Sequence, residues 1–197
     1  MILTVASFKG GVGKTTSAVH FAACLQRLAP TLLIDGDPNR SASGWARHGK
    51  LPFKVIDERL AAKFVRHYEH VVIDTKARPE EEDLRALAEG CDMLVVPTTP
   101  DALSLDALML TVNALGSLGA DRYRVLITMT PPKPSRDGEE ARLLLEEANL
   151  PMFESSIRRV VAFQRAALYG VLVSEVNDPR AADAWGDYER AAHEVLP

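Results

Sequence analysis

Residues 9 to 16 read Lys-Gly-Gly-Val-Gly-Lys-Thr-Thr and follow directly on the apolar run Ile2-Leu3-Thr4-Val5-Ala6. A strand that empties into three glycines and reopens as a helix at Lys14 can fold in few ways. Glycine carries no Cβ, so the backbone N–H groups can curl around an anion. The helix that follows aims its positive dipole end at the same point. Lys14 can then reach β- and γ-phosphates, and the Thr15 hydroxyl can ligate Mg²⁺. The segment reads as a phosphate-binding loop for a nucleoside triphosphate, built from Gly10, Gly11, Val12, Gly13, Lys14, Thr15 and Thr16.

The rest of the chain alternates apolar runs with helical patterns. Strands are expected at Ile2–Ser7, Thr31–Asp35, Phe53–Ile56, His70–Asp74, Met93–Pro97, Arg124–Thr128 and Met152–Glu154. Helices are expected at Lys14–Leu28, Ser41–His48, Glu58–His67, Glu80–Glu89, Ala102–Leu118, Gly138–Ala148, Val160–Tyr169 and Arg180–Val195. Several strands are unbroken aliphatic runs, as in sheets covered on both faces. The pattern predicts an α/β, single-domain P-loop NTPase over residues 1–197, with a mostly parallel, doubly wound sheet flanked by helices. With a strand starting at residue 2, no helix-turn-helix is expected ahead of the loop.

Ligands in such sheets bind at the carboxyl ends of the strands. Two further signals fall there. Leu32-Leu33-Ile34-Asp35-Gly36-Asp37-Pro38-Asn39 sets two carboxylates at a strand end, where they could orient water beside a metal–phosphate complex. Read alone, the same residues are turn formers. Val71-Val72-Ile73-Asp74-Thr75 fits a strand whose terminal Asp holds Mg²⁺, directly or through water.

Composition narrows the class. The chain has 197 residues, 47% hydrophobic and 25% charged, with net charge −4. A chain of this length buries about 70% of its unfolded surface and needs no staples. Cys24 and Cys91 stand in apolar surroundings and read as buried reduced thiols. No apolar run approaches a membrane span, and a cytosolic location is expected. His67, Glu69 and His70 lack zinc-motif spacing and read as surface or core residues. From Ser155 to Ser174 the only charges are Arg158, Arg159 and Arg165, with no acid in the segment to pair them. These arginines suit phosphate contacts to DNA, though solvated arginines or dimer salt bridges would look the same. Leu105, Leu108, Met109, Val112 and Leu115 form one helical stripe that reads as core.

Phe8 occupies the first glycine position of the ordinary loop, and Lys9 adds a front lysine. In this the segment resembles the deviant Walker motif of the ParA/MinD ATPases, and the chain is most similar to their small, ParF-like partition members. The resemblance implies ATP and Mg²⁺ as ligands, and a homodimer formed on ATP binding in which Lys9 crosses to the partner's phosphates. It implies that Lys9, Lys14 and Asp37 are catalytic, Asp37 positioning the hydrolytic water. Thr15, Asp35 and Asp74 would serve the metal, Asp35 from its outer shell. Asn39 replaces the family's usual glutamine, and Lys76 the proline that usually follows Asp74-Thr75. Pro97-Thr98-Thr99-Pro100 resembles a turn that helps build the dimer face; it also reads as a plain strand-to-helix connection.

The implied activity is a slow, partner-stimulated ATPase that binds DNA without sequence specificity and positions plasmid, chromosome or protein cargo with a ParB-like or adaptor protein, on the nucleoid. The acidic stretch from Asp187 to Leu196 differs from the basic amphipathic tail of membrane-bound MinD proteins, so no membrane partner is expected. Cys24 and Cys91 do not match the dimer-bridging cysteines of iron–sulfur carriers. The chain is too short for arsenite-pump ATPases and lacks the tyrosine cluster of bacterial tyrosine kinases. The remaining alternative is a metabolic P-loop enzyme, a dethiobiotin-synthetase-like ligase or small-molecule kinase.

Overall fold

The computed structural model describes residues 1–47, 49 and 51–196, Glu81 by its backbone alone. Six strands, β1 (Ile2–Ser7), β2 (Thr31–Gly36), β3 (Lys54–Asp57), β4 (His70–Ala77), β5 (Met93–Thr98) and β6 (Tyr123–Ile127), form one sheet in the order β3-β2-β4-β1-β5-β6. Every pairing is parallel. The chain winds outward from β1 to the β3 edge, returns to β4, then crosses to β5 and β6. The winding direction changes beside β1, and such a switch point opens a crevice at the carboxyl ends of the strands.

Register delivers the acids to that crevice. Asp74 lies opposite Val5 on β1 and opposite Asp35 on β2. The loop that leaves β1 therefore begins beside both carboxylates.

Alternation along each strand divides the core. Leu3, Val5, Leu33, Val72 and Val95 face α1 (Lys14–Gln26) and α8 (Ala181–His193). Ala6, Leu94, Val96, Val125 and Ile127 face α4 (Glu81–Glu89), α5 (Ala102–Ser117) and α6 (Asp137–Glu147). Helix α1 is buried almost all round because the sheet covers one side and α8 the other. The apolar face of α8 (Ala184, Tyr188, Ala191, Ala192) is thereby occupied within the fold. No helix among the described residues is long and apolar enough to cross a membrane. Cys24 and Cys91 are buried free thiols, and burial pushes Cys24 up to about 12.

Four local expectations change. The stretch Met152–Glu154 is not a strand; it makes only an isolated bridge, Val125 to Met152. Phe153 N–H donates to Val125 O, but the next two amides, Glu154 and Ser155, turn to the Glu194 carboxylate at 2.7 and 2.9 Å. An acid just past the end of α8 thus takes the donors a ladder would need. The helix expected over 58–67 breaks into 3-10 turns around a short α3 (Ala61–Phe64). Helix α2 spans Ser41–Ala46; His48 lies outside the described residues. Strand β4 runs three residues past Asp74, and Lys76 there pairs with Asp83 at 2.7 Å. A proline at 76 would have no N–H to give such a strand.

Candidate nucleotide-binding site

The loop between β1 and α1 is held in a form that only glycine takes freely. Gly11 and Gly13 have φ of 80° and 84°. A Cβ at Gly11 would meet nothing within 4 Å, so the constraint there is backbone strain, not space. Gly13 begins α1 without any side-chain cap, which leaves the first amides of the helix for an anion. Thr128, at the end of β6, can donate to Val12 O at 2.9 Å or Thr98 O at 3.1 Å. This hydroxyl moors the loop to the sheet, a role its sequence context did not signal.

Two buried aspartates lie side by side and differ completely in their partners. Asp35 is fully satisfied. Its Oδ2 accepts the Ser43 N–H at 2.8 Å and the Ser43 hydroxyl at 2.6 Å, and its Oδ1 accepts the Asp37 N–H at 3.2 Å. Asp35 therefore shapes the Asp37 loop and anchors α2. Asp74 is equally buried, yet neither oxygen has a hydrogen-bond partner. Burial pushes its carboxyl up to about 7; Thr15 and Lys14 oppose that rise, while Asp35 and Asp37 add to it. Orphaned buried oxygens of this kind suit a hard cation. Among the described residues no group of three or more His, Cys, Asp or Glu could hold a metal by itself. An ion on Asp74 and Thr15 would complete its shell with water and phosphate oxygens, as Mg²⁺ commonly does.

Lys14 is buried and donates to the Lys9 carbonyl at 3.1 Å. Desolvation lowers its pKa, and the charges of Asp74 and Asp37 pull it back up. Asp37 is half-buried and accepts the Asn39 N–H at 2.8 Å. Arg40, with φ 54°, braces the same loop by donating to Asp35 O at 2.7 Å and pairing with Asp57 at 2.9 Å.

Lys9 points away from Lys14. Its ammonium donates to Ser104 Oγ at 2.7 Å and Asp101 Oδ1 at 3.1 Å, at the start of α5. Hydrogen bonds from Thr99, Ser104 and Lys9 hold the Asp101 carboxyl well below the usual range. The Pro97–Pro100 segment thus supplies Thr98 O to the loop's mooring and leads into the acid that holds Lys9.

A cavity of about 620 Å³ runs from Lys9–Gly13 past Thr128 and Pro131 to Ile157, Arg158, Arg159 and, on α7 (Ala162–Tyr169), Phe163. Its size and mixed lining suit the sugar and base of a nucleotide. The arginines expected to be without local partners find them on other segments. Arg158 is bidentate to Asp187 at 2.7 and 2.9 Å and also meets Asp183 at 2.9 Å; Arg165 pairs with Asp178 at 3.3 Å. Only Arg159 is exposed and makes no ion pair among the described residues.

Fold, loop and acid pair define a P-loop nucleotide-binding protein of the doubly wound class. The family model for the CobQ/CobB/MinD/ParA nucleotide binding domain matches residues 3–173, and the chain belongs to that family. It is 38% identical over 201 residues to "Maintenance of carboxysome distribution protein A" of Gloeobacter kilaueensis, covering 98% of this chain and 93% of that protein. By fold it is similar to an ATP complex of a McdA variant from Cyanothece (TM-score 0.78, 20% identity, 99% and 95% of the two chains). It is similar in the same sense to the cell division protein MinD of Aquifex aeolicus (TM-score 0.76, 16% identity, 100% and 98%).

Proposed function

We propose that this chain is a positioning ATPase that hydrolyses ATP in a sandwich dimer and distributes a protein cargo over DNA with a partner protein. The observation that carries this reading is the division between two lysines of one loop. Lys14 is buried in its own site, while Lys9 stands on the outer rim, where another copy can meet it. The likeness to a carboxysome distribution protein over nearly the whole chain favours a protein body as cargo.

The loop amides and Lys14 bind the triphosphate. Thr15 and Asp74 would hold Mg²⁺, with Asp35 behind them setting the loop, and the bound ion would neutralise charge developing on the phosphates. Asp37, half-buried on the loop that Asp35 shapes, positions the attacking water. Closure of two copies draws Lys9 from Asp101 and Ser104 to the partner's phosphates. Hydrolysis, stimulated by the partner protein, reverses the closure. Arg159 contributes to DNA contact more than Arg158 or Arg165, whose guanidinium groups are already paired.

The test is ATP turnover by the purified protein with and without DNA and partner, together with its mass in solution with ATP and Mg²⁺. A slow monomer that dimerises with ATP and is stimulated by DNA plus partner supports the reading. Turnover indifferent to both, with a small molecule required instead, would favour a metabolic P-loop enzyme. Asp37→Ala should accumulate as an ATP-bound dimer; if it dimerises no better than the wild type, the role of Asp37 is wrong.

A further inference from the structure

Two cations border one groove on the outer side of the loop, and only one of them comes from the loop. The groove, about 500 Å³, is lined by Phe8, Lys9, Arg78 and Pro79 on one side and by α5 residues including Leu103 and Leu110 on the other. Lys9 is engaged with Asp101. Arg78 is exposed and makes no ion pair among the residues whose side chains are described. Its φ is 55°, a conformation that residues with a side chain adopt rarely and keep where their surroundings enforce it.

The enforcing contacts are visible. Strand β4 continues past Asp74 to pair Ala77 with Ser7, across an irregularity in β1. Arg78 N–H then donates to Ser7 O at 3.4 Å. Lys76 is fastened to Asp83 on α4, and Pro79 is buried. The strand that ends the acid pair's β4 therefore delivers a guanidinium to the mouth of the groove that holds Lys9.

We propose that Arg78 is a second cross-subunit cation, facing the nucleotide phosphates of the other copy together with Lys9. The proposal rests on the ATP-bound dimer proposed above. In a two-fold interface the same patch meets itself, so a residue beside Lys9 is carried to the same neighbourhood as Lys9. A triphosphate holds several negative charges, and within its own copy the loop's buried Lys14 is the side-chain cation that meets it. A guanidinium matches phosphate oxygens bidentately, which an ammonium cannot. Leu103 and Leu110, 73% and 62% exposed, flank the cations and lose their solvent in the same closure.

The experiment compares Arg78→Ala, Arg78→Lys and Arg78→Gly with the wild type. Three quantities are read: binding of a fluorescent ATP analogue by the monomer, ATP-dependent dimerisation by analytical ultracentrifugation, and ATP turnover. Analogue binding should stay within about twofold of wild type in all three, because the phosphate contact is made only across the dimer. Arg78→Ala and Arg78→Gly should weaken the dimer about tenfold or more and slow turnover with it, and Arg78→Lys should recover part of both. Glycine takes a left-handed backbone freely, so Arg78→Gly should melt no lower than wild type while losing the dimer. That combination separates the charge from the fold. A wild-type dimer matched by Arg78→Gly overturns the role of Arg78 alone. Loss of analogue binding by the monomeric variants also overturns it, since Arg78 would then act in its own site. A wild type that stays monomeric with ATP overturns the dimer reading, and the role of Arg78 falls with it.

Discussion

Helix α1 joins two regions that treat buried polar groups in opposite ways. At its first turn Lys14 is buried beside Asp74, whose two oxygens have no partner. Farther along the same helix His20 is equally buried, and both its nitrogens are used. Nε2 accepts the Val173 N–H at 3.2 Å, which leaves the proton on Nδ1 to be donated to Thr16 O at 2.7 Å. Tyr188 stacks on the ring at 4.8 Å, and Trp45, Phe163 and Trp185 enclose it. Burial lowers its pKa to about 4. A satisfied imidazole belongs to the architecture, whereas a buried carboxylate with both oxygens unpartnered leaves a place for a cation to complete. Asp35 and Asp74, adjacent in register and equally buried, repeat the contrast within one pair of strands.

The sharpest way to break this comparison is at Lys9, which belongs to neither region in the monomer. Lys9→Ala should keep nucleotide binding yet lose roughly 10³-fold or more in turnover, the range of cations supplied across an interface. Full activity would remove Lys9 from the mechanism.

The next largest effect falls on Asp74. Its pKa is raised on folding, so its contribution to stability is complete below about pH 4 and is lost as pH rises through about 7. Without nucleotide or metal, Asp74→Asn should stabilise the protein at pH 8 by up to about 4 kcal/mol, with no gain near pH 4. The same variant should lose hydrolysis. Denaturant unfolding at the two pH values decides this, and equal effects at both would mean the carboxylate is not held unsatisfied.

His20 behaves in the reverse sense. Its pKa is depressed, so its contribution is present above about pH 6.5 and lost as pH falls through about 4, by up to about 3 kcal/mol. His20→Phe should flatten that acid limb in thermal melts between pH 7 and pH 4. A wild-type melt unchanged over this range would show that the cage is not closed to protons.

The smallest effects separate two neighbouring arginines. Arg158→Ala leaves the buried Asp187 with Arg190 as its remaining side-chain partner and should destabilise the fold by about 1–2 kcal/mol. Arg159→Ala should leave the melting temperature unchanged and weaken DNA binding. Two contacts per dimer predict a log–log salt slope of about −2, whereas six would give about −5. A slope near −5 would mean that Arg158 and Arg165 leave their acids on DNA.

Much of the site was legible because its signals are local. Three glycines before Lys14-Thr15 require a loop at a strand end, and aliphatic runs ending in Asp35 and Asp74 place acids at two more strand ends. Arg40, Ser43 and Thr128 went unread because each acts by where its side chain arrives. The partners of Arg158 and Arg165 were invisible for the same reason: Asp187, Asp183 and Asp178 lie on other segments. The stripe on α5 was correct for Leu108, Val112 and Leu115, while Met109 faces outward at 38% exposure. Periodicity gives the angle between residues on a helix, not the edge at which the neighbouring layer stops.

The sequence by itself determined the loop, the strand-end acids and the alternation that yields a doubly wound parallel sheet, because each is written within a few consecutive residues. Tertiary structure alone decided that Asp35 is satisfied while Asp74 is not, that Lys9 rests on Asp101, and that Arg78 shares its groove. Those are contacts between segments dozens of residues apart, and burial is a property of what surrounds a residue rather than of the residue itself.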